Sequence, residues 1–393
     1  MLTQTGLDVC IREDFSLFHG QSVGVVCHQA SVARDLGHIL DHMLPLHQAG
    51  KLKIAACFGP QHGIWGHTQD NMIEWEGYVD PRTGLKFYSL YGEHRVPTAE
   101  MLKGVDHLIF DVQDVGARYY TFIWTLANCM KACEPLGIPI TVLDRPNPIG
   151  GNQAEGPGHS MAYQSFVGLY PLPVRHGLTV AEVGLHLKQH WFPKCDLRVV
   201  AVERWQRHWK HRLTGLPWAL PSPNMPSPET ALVYPGQCLL EGTKLNEGRG
   251  TTRPFEMFGA PYIDGWKLCD RLNAQGLPGC HFRPIQYMPT FHKFGGEVCQ
   301  GAYLHVTDED SFRPVLATAV LLTQIHDLYP NDFAWQDPPY EYEYKLLPID
   351  ILAGGDGFRT NVHSGFSTGQ WIEWIDGNGA DIVREVKGSH LYA

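Results

Sequence analysis

The chain has 393 residues, 44% of them hydrophobic and 18% charged, which is enough apolar material for packed cores; general disorder is excluded and two domains are expected. Lys and Arg number 31 against 41 Asp and Glu, a formal charge of −10, which argues against a nucleic-acid or anionic-membrane partner held by bulk attraction. No apolar stretch approaches about 18 residues, so no membrane-spanning helix is expected. The start, MLTQTGLDVCIRED, lacks a basic segment followed by an apolar one, so no signal peptide is visible and a cytoplasmic location is expected.

In chain order, 22–27 (SVGVVC) is a short apolar run that reads as a buried strand, and 35–49 (DLGHILDHMLPLHQA) has apolar residues at helical spacing. Residues 52–58 (LKIAACF) read as a strand ending in GPQHGIWG, and 105–110 (VDHLIF) as a strand ending in DVQDVGARYY. A helix is predicted over 120–134, then a strand over 138–143 (IPITVL) ending in DRPNPIGG. This repeat of strand, polar loop and helix predicts a parallel sheet covered on both faces. A helix over 179–191 and a strand over 197–202 follow. The Pro-rich stretch 216–236 is too apolar for a flexible linker and is expected to pack across the surface toward a second unit. Helical stretches at 266–274 and 314–328 and a short strand at 302–306 complete the pattern. The fold class is α/β: a parallel-sheet domain, 1–232, with a smaller α+β domain, 233–393.

In open α/β sheets, ligands sit beyond the carboxyl ends of the strands, so GPQHG, DVQDVGARYY and DRPNP are expected to converge on one cleft. Three glycines in 59–66 suggest a loop whose backbone approaches a ligand, with Gln61 and His62 at its tip. In QDNMIEWEGY, Asp70, Asn71, Glu74 and Glu76 offer polar groups, of which alternate residues face opposite sides if extended. Asp111, Asp114, Arg118, Tyr119 and Tyr120 crowd one strand end, the mixture of aromatic faces and polar donors that a sugar ring needs. Asp144 and Arg145 form a rigid turn with Pro146 and Pro148. Thr179 and Glu182 make a capping box, preceded by Arg175 and His176. Residues 241–253 (EGTKLNEGRGTTR) combine Glu241, Glu247, Arg249 and Arg253 with glycines, a composition no core selects.

Negative signals matter too. There is no dinucleotide fingerprint, no Walker motif, no GxSxG elbow and no HExxH. His186 and His190 fall at i, i+4 on one predicted helix but without an acid in the motif, so no metal and no cofactor are expected. Ten cysteines without a CxxC pair read as buried free thiols of a reducing compartment.

Together GPQHGIWG (59–66), TGLKFYSLYGEHRVPTAEML (83–102), FDVQDVGARYYTFIWT (110–125), LDRPNPIGG (143–151), PVRHGLTVAE (173–182), PSPNMPSPETALVYPG (221–236) and EGTKLNEGRGTTRPFEMFGAP (241–261) closely resemble the NamZ-like exo-β-N-acetylmuramidase family, over roughly 6–390. The resemblance implies that the N-terminal domain is Rossmann-like, with the site in the cleft between it and the smaller domain, and a glycoside hydrolase that releases a terminal, non-reducing, β-1,4-linked N-acetylmuramic acid from peptidoglycan fragments, without a dinucleotide. Family members of this type usually read PEHG where this chain has Pro60-Gln61-His62-Gly63, and Gln61 cannot titrate. The expected acid is therefore Glu74 or Glu241, with Asp114 or Glu247 as the second carboxylate and His62 in proton transfer. Arg118, His176 and Arg249 are expected to bind the lactyl carboxylate or hydroxyls, and Tyr119 and Asn224 to orient the ring, with Gln61 and Asp111 as further substrate-binding residues. Two rival readings are a non-catalytic muropeptide or sugar binder, favoured by Gln61, and a metal-dependent hydrolase.

Overall fold

The computed structural model describes residues 2–393. Its larger sheet holds β1 (Ser22–Cys27), β2 (Lys53–Gly59), β3 (Tyr78–Val79), β4 (Lys86–Ser89), β5 (His107–Asp111), β6 (Ile140–Leu143) and β7 (Leu197–Val200) in the order β3-β4-β2-β1-β5-β6-β7. All neighbours pair parallel except β3, which lies antiparallel on β4 at the edge. The apolar β1 run explains its central place. Val23, Val25 and Cys27 enter one core, with Leu7, Ile39, Leu40 and Met43, while Val26 enters the other, with Phe58, Phe110 and Trp124. A strand buried on both faces has no room for polar alternation.

The first core is covered by α1 (Gly6–Arg12) and α2 (Ile39–Gln48), the second by α3 (Phe122–Cys133) and α4 (Val180–His190); the short α5 (His211–Thr214) follows β7. Helix α2 starts at Ile39 rather than 35 because Val32 and His38 bridge across a turn and His38 caps the helix, accepting from Leu40 N–H at 3.3 Å. The capping box of α4 is as expected: Thr179 Oγ1 accepts from Glu182 N–H at 3.3 Å, and Glu182 accepts from Thr179 N–H at 2.9 Å.

The smaller unit has a three-stranded antiparallel sheet, β8 (Met257–Ala260), β9 (Cys280–Tyr287) and β10 (Cys299–Val306), ordered β8-β10-β9. Around it lie α6 (Pro228–Gln237), α7 (Gly265–Asn273), α8 (Pro314–Leu328), α9 (Pro348–Ala353), α10 (Gly357–His363) and α11 (Thr368–Val386). The Pro-rich segment divides in two: residues 216–220 run half-exposed along the surface as expected, whereas Ser227 caps α6, Pro228 starts it, and every residue from Thr230 to Gln237 is buried. Helix α6 runs through residues 232 and 233, and its side chains continue the α3–α4 core into the second unit.

Several candidate ligand-binding residues are engaged in holding this scaffold. Asp111, ending β5, is fully buried and takes Arg145 bidentately, at 2.6 and 2.9 Å. The DRPNP loop thus turns to Asp111 and borders a separate crevice with Val32, Gln113 and Trp218, instead of joining GPQHG. Arg118, expected to bind substrate, is also fully buried. It donates to the carbonyls of Pro157 (3.1 Å), Leu172 (2.8 Å) and Leu352 (2.6 Å), the last in α9, and so fastens the two units together. Asp114 and His176, from two separate loops, meet in the interior: His176 Nε2 lies 3.1 Å from Asp114 Oδ2, which also accepts from Gly116 N–H at 2.6 Å. Both are buried away from the cleft lining.

Arg145→Met leaves the Asp111 carboxylate buried without its counter-ion. It is expected to cost about 3–5 kcal/mol of stability, measured as a lowered urea midpoint; an unchanged midpoint would contradict the structural role.

Candidate active site

The loop after β2 places Gln61 and His62 at a strand end. His62 adopts φ 70°, and Gly63 follows at φ 81°, so the chain turns sharply and both side chains face inward. The loop after β5 contributes Tyr119, Tyr120, Thr121 and Phe122. The Pro-rich segment adds Ser222 and Asn224, α6 adds Tyr234, and the loop from the smaller unit adds Arg249 and Phe255. A strand-less turn, 338–343, closes the cleft with Tyr340 and Glu341. The inner end is narrow, about 30 Å³, room for water. It continues past Asn71, Arg249 and Tyr340 into an outer part of about 270 Å³ bordered by Asp70, Glu241, His292 and Lys293.

Glu341 was not expected from the sequence, yet it is the acid at the inner end. Its Oε1 accepts from Gln61 Nε2 at 3.1 Å and its Oε2 from the Tyr91 hydroxyl at 2.9 Å. It is fully buried, and burial first, then the nearby Glu241, push its pKa up to about 7, against the opposing hydrogen bonds from Tyr91 and Gln61. Its backbone is left-handed, φ 44°, followed by Tyr342 at φ 67°. Two successive non-glycine residues there hold strain of a few kcal/mol, which the surrounding packing must sustain.

Gln61 is the hub of the inner end. Its amide nitrogen lies 3.1 Å from both the Tyr91 hydroxyl and Glu341 Oε1 and 3.4 Å from Asn71 Oδ1, while its oxygen accepts from Thr121 at 2.6 Å. Asn71 then donates to Glu241 Oε2 at 3.1 Å, an oxygen also reached by the Tyr340 hydroxyl. The other oxygen of Glu241 takes Arg249 at 2.6 and 3.2 Å. A chain of contacts therefore links Glu341, Gln61, Asn71, Glu241 and Arg249 across both units.

Arg249 itself meets Asp70 at 3.2 Å and Glu247 at 3.4 Å, with Phe255 beneath at 5.4 Å. Burial opposes its charge, but Glu241 and Glu247 hold its pKa above the ordinary arginine value. Glu247 lies behind Arg249, off the cleft wall. Burial would raise its pKa, but Lys293, His292 and Arg249 outweigh this and lower it, so it works as an anchoring carboxylate rather than a proton donor. Arg249 is accordingly an organiser already saturated by three acids, not a free receptor for a lactyl carboxylate.

His62 Nδ1 is 2.7 Å from the Thr68 carbonyl oxygen, which makes that nitrogen the donor and leaves Nε2 an acceptor on the cleft side. Burial drives its pKa down to about 4, so it enters neutral and is no proton donor at neutral pH. Tyr119 lines the wall with its hydroxyl donated to the Pro235 carbonyl, and Asn224 is held by reciprocal bonds to Gln69, both 3.1 Å. Glu74 is the main departure. It is exposed, beside Tyr342 and Gly92, because the turn at Met72 (φ 59°) sends Asp70 and Asn71 inward and leaves Glu74 and Glu76 outside. The structure thus gathers Gln61, His62, Tyr119, Asn224, Glu241 and Arg249, and not Glu74, Glu247, Asp111, Asp114, Arg118 or His176. Among the described residues the one three-ligand cluster of metal-binding types, His186, His190 and Glu385, is not part of this cleft.

Comparison with known proteins follows this geometry. The N-terminal and C-terminal models of the exo-β-N-acetylmuramidase NamZ match residues 23–229 and 232–392. The peptidoglycan β-N-acetylmuramidase NamZ of Bacillus subtilis (strain 168) is 43% identical over 364 residues, 93% of this chain and 85% of that protein. Two crystal structures of DUF1343 family proteins from Bacteroides fragilis NCTC 9343 superpose along the chain. One has TM-score 0.89 and 32% identity, covering 100% and 99% of the two chains; the other has 0.77 and 26%, covering 99% of each.

A raised carboxyl pKa is also a stability statement. Relative to an ordinary 4.5, Glu341 near 7 contributes stability that is complete below about 4.5 and is lost as pH rises through about 7. Urea titrations should show the wild type losing ground to Glu341→Gln between these limits, by on the order of 2–3 kcal/mol. A difference independent of pH would show that the carboxyl titrates normally.

Proposed function

The chain belongs to the NamZ family of exo-β-N-acetylmuramidases, exo-acting glycoside hydrolases, and from this premise we propose that Glu341 is the acid that cleaves the terminal β-1,4 bond of N-acetylmuramic acid in a peptidoglycan fragment. The observation that carries the reading is a buried carboxyl with pKa near 7 at the end of the cleft, beside the amide of Gln61. A general acid works best when its pKa lies near the working pH, and burial is how a glutamate reaches that value. Glu341 gives its proton to the departing glycosidic oxygen as the C1–O bond breaks. Glu241, held by Arg249, Asn71 and Tyr340, faces the positive charge that develops on the sugar ring, together with the substrate's own acetamido oxygen. Water adds to C1 and returns a proton to a carboxylate.

The outer part, about 270 Å³, has room for a sugar ring beside Asn71, Glu241 and His292, and at the narrow inner end Tyr119, Tyr120, Phe122, Tyr234 and Phe255 present apolar faces, with His62 Nε2, Asn224 and Thr121 as polar contacts for the groups that reach it. In a chain with Gln61 in place of the usual PEHG glutamate, Glu341 lies next to the amide and takes over proton transfer. Ten free thiols support a reducing compartment, where the substrates are wall fragments taken up by the cell.

Glu341→Gln should lower kcat on a natural disaccharide by about 10²–10⁴ with little change in KM. On an aryl N-acetylmuramide, whose leaving group departs without protonation, the loss should be much smaller. Wild-type kcat should fall as pH rises above about 7, where Glu341 gives up its proton. Wild-type turnover by Glu341→Gln on the disaccharide would overturn the assignment.

A further inference from the structure

Away from the cleft, His186 and His190 lie one turn apart on α4, and Glu385 comes to them from α11. One ligand atom from each of the three lies within 4.8 Å of the others. His190 Nε2 and Glu385 Oε1 are 3.2 Å apart, close to the separation of about 3.4 Å between two ligand atoms on a tetrahedral zinc with bonds of about 2.1 Å. His186 is fully buried; its Nε2 has no hydrogen-bond partner, while Nδ1 faces Ser389 Oγ at 3.5 Å. An orphaned imidazole nitrogen is uncommon in a packed interior, where nearly every buried polar atom is paired. It is what a ligand nitrogen looks like without its ion, with Ser389 as the outer partner that orients the ring.

We propose that His186 Nε2, His190 and Glu385 bind a divalent transition-metal cation, zinc in the first instance, at a site joining α4 of the larger unit to α11 of the smaller. Two imidazoles and a carboxylate suit zinc, with water as the fourth ligand. The two helices help: His190 is the last residue of α4 and Glu385 the last but one of α11, so both helix C-termini, with their partial negative charge, face the ion. His190 and Glu385 are exposed, so their side chains are free to move toward the ion. The site also lies where the chain returns to the larger unit, since Leu391 N–H donates to Glu182 at 2.7 Å and the Tyr392 hydroxyl to Asp144 at 2.5 Å. The sequence shows the histidine pair, but its acid is nearly the whole second unit away in the chain.

The test uses the full chain, stripped with chelator and titrated with zinc chloride, and with cobalt chloride for its visible spectrum. The wild type should bind one equivalent, give a tetrahedral cobalt spectrum, and gain thermal midpoint when zinc exceeds Kd by about 100-fold. His190→Asn and Glu385→Gln change exposed side chains, so both variants should fold. Each should weaken binding by about tenfold or more and remove the midpoint gain, with glycosidase turnover unchanged. Absence of stoichiometric binding to the wild type, or equal affinity in both variants, would overturn the site.

Discussion

Arg249 sits buried between Glu241, Glu247 and Asp70, with Lys293 on the other side of Glu247, and the rest of the cleft is arranged around that knot. Three carboxylates against two cations leave local negative charge in a low-dielectric setting. Glu341, nearby but partnered by the neutral Gln61 and Tyr91, meets that charge and full burial at once, and both favour its protonated form. The same guanidinium that fixes Glu241 also ties the 70–71 turn of the larger unit to the 241–249 loop of the smaller, so one side chain links the cleft's electrostatics to a contact between the units.

The parallel sheet acts here as a frame. At the carboxyl ends of β1, β5 and β6, where open α/β sheets commonly hold ligands, Asp111 and Arg145 neutralise one another and Trp218 borders the adjoining crevice. The candidate site lies to one side, past β2, where the smaller unit adds a second wall. Burying Arg118 against carbonyls from both units is part of the same design. A cation with three carbonyl acceptors, its pKa lowered to about 10 by burial, holds the walls in register without facing the substrate.

Much of this was legible before any coordinates. Strand positions, the α4 capping box and the two-unit plan follow from apolar runs and turn residues, because periodicity and capping are local. Gln61, His62, Tyr119, Asn224, Glu241 and Arg249 were also within reach, since each lies in a polar loop where no core would select it. Glu74 and Glu341 were not separable by the same means. Both sit in short aromatic and acidic stretches, EWEGY and YEYEY, and only the left-handed turns at Met72 and at Glu341 decide which acid points inward. Likewise Asp111, Asp114, Arg118 and His176 look functional in a list of polar residues, and only their partners, contributed from other loops, reveal that they are structural.

The sequence by itself determined the family, the α/β order of elements and the loops that could bear chemistry, because these depend on residue type and on spacing within a few turns. Tertiary structure alone decided which carboxyl keeps a proton and which arginine is already neutralised. Those properties come from burial and from charges brought close by the fold across long stretches of chain, and no local pattern encodes a dielectric or a distance.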